Sequence, residues 1–92
     1  MNFEWDENKN LSNKYKHGID FNSAMEIWND IRRIEIEASY PLENRSILIG
    51  KIGEKHWTAI FTKRYKAIRI ISVRRSRKKE VRLYEQKETG QD

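Results

Sequence analysis

Ninety-two residues, 37% of them hydrophobic and 36% charged, are enough for one small domain and leave no room for a second module. No cysteine is present, which excludes disulfides and thiolate metal sites, and two histidines 39 positions apart offer no metal-ligand spacing. The net charge of +5 is concentrated: residues 63 to 82 hold ten Lys or Arg against the single Glu80, a local +9 that leaves about −4 for the rest.

A patch of this kind favours phosphate-bearing partners, with an acidic protein as the second possibility. No apolar run approaches the roughly 20 residues that span a bilayer. The opening MNFEWDENKN lacks the basic-then-apolar order of a signal peptide, so a cytoplasmic chain without a membrane partner is expected.

In chain order, Phe3-Glu4-Trp5 reads as a short strand, and Asp6 can cap a helix over 7 to 17 with a thin stripe of Leu11 and Tyr15. Gly18 stands where a helix end wants a positive φ. Asp20 is a second N-cap, and Phe21, Ala24, Met25, Ile27 and Trp28 give a stronger helical face ending near Asn29-Asp30.

The period then changes from 3.6 to 2. Ile34 and Ile36 alternate with charged residues, a loop follows over Tyr40-Pro41 and Glu43-Asn44, and 47 to 52 reads as a strand. Gly53 suits a tight hairpin turn into Trp57, Ala59 and Phe61, and a turn over Arg64-Tyr65-Lys66 leads into a last strand from Ala67. Ser76 can cap a final helix in which Val81 and Tyr84 share a face, although Lys78 and Lys79 oppose the dipole in its first turn. The expected order is β-α-α-β-β-β-β-α, one α+β domain over 1–92 with 88–92 frayed, its strands forming an antiparallel meander. Trp5, Trp28 and Trp57 are assigned to the core.

The last strand raises the sharpest question. Strict alternation places Ile68, Ile70, Ser72 and Arg74 on one face and Arg69, Ile71, Val73 and Arg75 on the other. Arg69 and Arg74 then share a face only if a bulge or the strand end redirects one of them. Arg69 reads as an edge residue, or as a guanidinium snorkelling to solvent, or as part of a phosphate-binding set with Arg64 and a member of the Arg74-Arg75-Arg77 cluster. His17 reads as a helix-end cation favoured by the dipole or as an acid–base group, since His alone titrates near neutrality unperturbed. His56 is expected to be an exposed cross-strand residue, and Glu80 a solvated charge or the partner of a nearby arginine.

Taken together, Phe3-Glu4-Trp5-Asp6, then Lys16-His17-Gly18-Ile19-Asp20-Phe21, then Arg69-Ile70-Ile71-Ser72-Val73-Arg74-Arg75 resemble the BrnT family of toxins from bacterial type II toxin-antitoxin modules. The usual pattern is met except that Val73 stands where alanine is common. The resemblance implies a RelE-like fold, an antiparallel sheet packed with two N-terminal helices and a C-terminal helix. It also implies a metal-independent endoribonuclease, needing no cofactor, that arrests translation. A BrnA-like antitoxin would mask it in a hetero-oligomer.

Carried over residue by residue, it implies His17 as acid or base and Arg64, Arg69 and Arg74 as phosphate clamps. Arg75, Arg77, Lys78 and Lys79 would bind RNA backbone. Two other expectations stand beside the enzyme: a non-catalytic basic module that grips nucleic acid, and an interface for an acidic protein that covers the Val81 and Tyr84 face.

Overall fold

A computed structural model describes the backbone of residues 1–39 and 44–88. The expected loop residues Tyr40, Pro41 and Glu43, and the tail from 89 to 92, lie outside the described residues. Glu88 is the last residue of the C-terminal helix.

The elements are β1 (Asn2–Glu4), α1 (Glu7–His17), α2 (Phe21–Ala24) continued by a 3₁₀ turn (Met25–Asn29), β2 (Ile34–Ser39), β3 (Asn44–Ile52), β4 (Lys55–Arg64), β5 (Ala67–Arg75) and α3 (Lys78–Glu88). Local chemistry sets the first helices. The Asp6 carboxylate accepts the backbone N–H of Asn8 and Lys9 at 2.8 and 3.2 Å, and Gly18 closes α1 at φ 76°. Asp20 caps α2 through the N–H of Ser23 at 2.7 Å. The second helix is tighter and shorter than its apolar pattern suggests, because the chain passes into 3₁₀ geometry after Ala24.

One five-stranded sheet runs in the order β1-β5-β4-β3-β2. Strands β2 to β5 form the expected antiparallel meander. The sheet as a whole is mixed, not antiparallel, because β1 pairs with β5 in parallel, Glu4 opposite Arg69. Two elements distant in sequence cannot reveal their mutual direction through local periodicity. Arg69 therefore lies on an interior strand and not at an edge.

Pairing between β4 and β5 breaks register once. Ile60 faces Ser72, the next pair is Phe61 with Ile70, and Ile71 is left without a partner on β4. This is a β-bulge on β5. Below it the face set is Arg69 with Thr62; above it, Ser72 with Ile60 and Arg74 with Thr58. Strict alternation therefore fails at Ile71, and Arg69, Ser72 and Arg74 share one face while Ile68, Ile70, Val73 and Arg75 share the other.

The second of these faces is the main core. Leu48, Ala59, Phe61, Ile70 and Val73 are buried against Phe21, Ala24, Ile27 and Trp28. Trp28 meets Phe3 and Phe61 edge-on at 5.0 and 5.3 Å between ring centroids, and Trp5 meets Phe21 at 5.9 Å. β3 passes so near the 3₁₀ turn that a Cβ on Gly50 would lie 2.9 Å from the Ile27 side chain.

On the first face, α3 covers one end of the sheet, where Ile49 and Thr58 are fully buried. Tyr84 is only 1% exposed. Its ring stands edge-on to His56 at 5.1 Å and its hydroxyl donates to the Asp30 carboxylate at 2.7 Å. Two expectations are corrected here. Tyr84 is satisfied within the chain and is not an open face for a partner, and His56 is half buried, its Nε2 atom inside the packing, instead of lying exposed.

Candidate functional site

The bulge builds the first part of the site. It lines up Arg69, Ser72 and Arg74 on the open face of β5, and Arg64, two residues beyond Thr62 on β4, projects to the same side. Each of the two arginines on this face of β5 meets an acid. Arg69 donates from Nη1 to Glu4 at 3.2 Å, its cross-strand neighbour on β1, with both side chains substantially exposed. Arg74 makes a two-pronged pair with Glu80 of α3, at 2.8 and 2.9 Å, and these side chains are 17% and 15% exposed.

Glu80 is the centre of a larger network. One of its oxygens also accepts from the Thr58 hydroxyl at 3.0 Å and from the N–H of Arg77 at 2.7 Å. Burial pushes its carboxyl pKa up, but the Arg74 guanidinium and these two donors outweigh burial and pull it down to about 2. The bond to Arg77 is the acid half of a capping box. Ser76 is the cap of α3 expected from the sequence; instead its N–H donates to the His56 carbonyl at 3.0 Å and its hydroxyl pairs with Thr58 at 2.8 Å. Ser76 thus prolongs the β4–β5 ladder, and the helix starts later, under Glu80.

The second part comes from α1. Asn13 is buried in the middle of that helix, a position for which asparagine has poor propensity. Its amide acts as a short piece of strand. Nδ2 donates to the carbonyls of Val73 and Ile19, both at 2.9 Å, and Oδ1 accepts the N–H of Val73 at 3.0 Å. α1 is thereby pinned to the edge of β5 that β1 leaves free. Asn10 adds a second tie, accepting the N–H of Phe21 at 2.7 Å.

Between the pinned helix and the bulge lies a cleft of about 180 Å³. α1 supplies Lys9, Ser12, Lys16 and His17, and β5 supplies Ser72 and the bulged Ile71. His17 is the last residue of α1, exposed, next to the left-handed Gly18. Ser72 joins the two parts, lining the cleft while standing between Arg69 and Arg74 on the sheet. The cleft itself gathers an imidazole, two hydroxyls and two ammonium groups, and the guanidinium forks of Arg69 and Arg74 stand outside its lining, on the sheet face to either side of Ser72. Groups of these types are the ones used for proton transfer and phosphate charge stabilisation.

The other sequence-derived residues fall further out. Arg75 lies on the opposite face, its guanidinium 5.5 Å from the centre of the Trp57 ring. Arg77, Lys78 and Lys79 are exposed where β5 gives way to α3. Arg64 lines a separate shallow recess with Glu4, Tyr65 and Lys66. Glu4, Lys9, Ser12, Asn13 and Ser72 are not among the site residues expected from the sequence. Only Asn13 offers a usable signal, as a weak helix former in the middle of a predicted helix.

A family model described as the ribonuclease toxin, BrnT, of a type II toxin-antitoxin system matches residues 5–80. The chain belongs to this family. The BrnT match runs from the residue before the Asp6 cap to Glu80, and so takes in Asn13, the His17-Gly18 helix end, the whole of β5 and its bulge. A toxin of this type has an RNA target and an antitoxin protein as partner. No curated protein matches the chain.

Proposed function

We propose that this BrnT-family toxin is a metal-independent endoribonuclease with a RelE-like fold, acting in the cytoplasm to arrest translation and held inactive in a hetero-oligomer with a BrnA-like antitoxin. The observation that carries this is the bulge at Ile71, which brings Arg69, Ser72 and Arg74 to one face beside the cleft that holds His17. His17 takes the ribose 2′-hydroxyl proton, and the 2′-oxygen bonds to the adjacent phosphorus. The bond from phosphorus to the 5′-oxygen breaks, and that oxygen receives a proton from solvent water while the proton held by His17 returns to solvent. Arg64 and Arg69 stabilise the added charge in the transition state, and Arg74 does so when its fork is turned from Glu80 to the phosphate. Arg75, Arg77, Lys78 and Lys79 bind backbone further along the strand.

Purified protein is expected to cut RNA in excess EDTA, and His17→Ala and Arg69→Ala to lose cleavage while staying folded by circular dichroism. Full activity in both variants would remove the site assignment. One observation favours a second reading, a non-catalytic basic module: Arg69 and Arg74, the two arginines on the open face of β5, already carry acid partners. RNA binding by clean wild type without strand scission would establish that reading instead.

A further inference from the structure

We propose that the cleft between α1 and the bulge of β5 binds an RNA backbone phosphate neighbouring the one that reacts, with Lys9, Ser12 and Lys16 as its ligands. This assignment rests on the ribonuclease reading above. Its first support is charge. The cleft walls carry two ammonium groups, two hydroxyls and an imidazole, and no carboxylate. On the adjoining sheet face Arg69 and Arg74 must each release an acid before meeting phosphate. The α1 lysines have no ion pair among the described residues, so they gain an anion without first losing a partner.

The second support is placement. Residues 9, 12, 13 and 16 form one stripe of α1, at helical spacings of three and four. Asn13, inside that stripe, is fixed to Val73 and Ile19, so the lysines and Ser12 are held at the cleft by a helix that cannot roll. The helix dipole accounts for Lys14 and Lys16, which stand in the last turn where cations are favoured. It does not account for Lys9. Lys9 is the third residue of α1, at the positive end, where a cation is disfavoured unless something else recovers the loss.

The third support is continuity. Ser72 and His17 line this cleft, and Ser72 stands between the arginines of the open face. A strand whose reacting phosphate lies at Ser72 delivers an adjacent phosphate to Lys9 and Lys16. Ammonium groups beside serine hydroxyls are the usual donors to phosphate oxygens.

The test compares wild type, Lys9→Gln/Lys16→Gln, and the charge-matched control Lys14→Gln/Lys55→Gln, whose lysines are exposed outside the cleft. Binding of a labelled 2′-O-methyl RNA, which cannot be cleaved, is followed by fluorescence anisotropy over a salt series. The cleft variant is expected to lower the slope of log K against log salt by about 0.7 for each phosphate that is no longer neutralised. Its kcat/KM for cleavable RNA is expected to fall chiefly through KM, with the control matching wild type. Equal slopes for the cleft variant and the control, in a wild type that cleaves RNA, would overturn the subsite and leave the enzyme standing. So would unchanged RNA binding accompanied by weaker antitoxin binding, which would make the cleft a protein-binding surface. A wild type that neither binds nor cuts RNA would overturn both.

Discussion

Glu80 ties three groups together, and its charge makes stability depend on pH in a definite direction. Its pKa is about 2 in the folded protein against an ordinary value of 4.5. A carboxyl with a depressed folded pKa stabilises the fold above the unfolded pKa, and the contribution drains away as pH falls from about 4.5 toward 2. Urea midpoints measured between pH 7 and pH 2.5 should drop through that window by the equivalent of about 2 to 3 kcal/mol from this group. In Glu80→Gln stability should be lower at pH 7 and the acid slope shallower. A residual slope should remain, because Asp30 is also lowered: burial raises it, but the N–H groups of Lys51 and Arg32 and the Tyr84 hydroxyl more than compensate. Asn13 makes a second case at this scale. Asn13→Leu fits the helix better by propensity, yet leaves the Val73 N–H and carbonyl without their partner, and should cost about 2 to 4 kcal/mol in chemical denaturation. An unchanged denaturation midpoint would mean that water replaces the amide at no cost.

Among whole elements, α3 is held to the sheet at both ends of its buried face, by Glu80 in the first turn and by Tyr84 further along. Tyr84→Phe keeps the ring against His56 and removes only the donor to Asp30. The loss should be about 1 to 2 kcal/mol, with α3 amides exchanging faster than those of β4. Gly50→Ala tests packing at the other layer: its methyl would enter the space of Ile27, so a loss of about 1 to 3 kcal/mol is expected from calorimetry. The elements most legible in the sequence are those set by neighbouring residues. Asp6, Gly18 and Asp20 act within four positions along the chain, and their helix ends fall where the sequence puts them. The meander was legible too, since its turns and alternation are local. The parallel pairing of β1 with β5 was not, because nothing in Phe3-Glu4-Trp5 encodes the direction of a strand 65 residues away. The bulge was legible only as a requirement. The run Ile68, Ile70 and Ile71 is apolar on both sides of any alternation, so hydrophobicity cannot mark the residue that drops out of register. The candidate site divides along the same line: its arginines and His17 stand out by type, while Asn13, Lys9 and Ser72 acquire roles only once α1 is laid against β5.

At the scale of the whole molecule, the +9 segment from 63 to 82 meets few acids, and the two that face its strand arginines differ in burial. Glu80 is enclosed and structural, whereas Glu4 is 41% exposed and pairs with an Arg69 that is 33% exposed. A solvent-exposed pair of this kind contributes about 0 to 1 kcal/mol to stability, so Glu4 can be neutralised without loss of the fold. If Arg69 contacts phosphate, Glu4 competes with the substrate for it. Glu4→Gln should then tighten binding of uncleavable RNA several-fold at low salt, with the gain fading as salt rises, while the thermal midpoint moves by no more than a few degrees. Arg69→Ala in the same assay should weaken binding, and adding Glu4→Gln to it should restore little, because the competitor no longer has anything to withhold. A Glu4→Gln variant that binds RNA less well than wild type would reverse this account. Glu4 would then hold Arg69 in its working orientation, and the pair, not the free guanidinium, would be the unit that meets the phosphate.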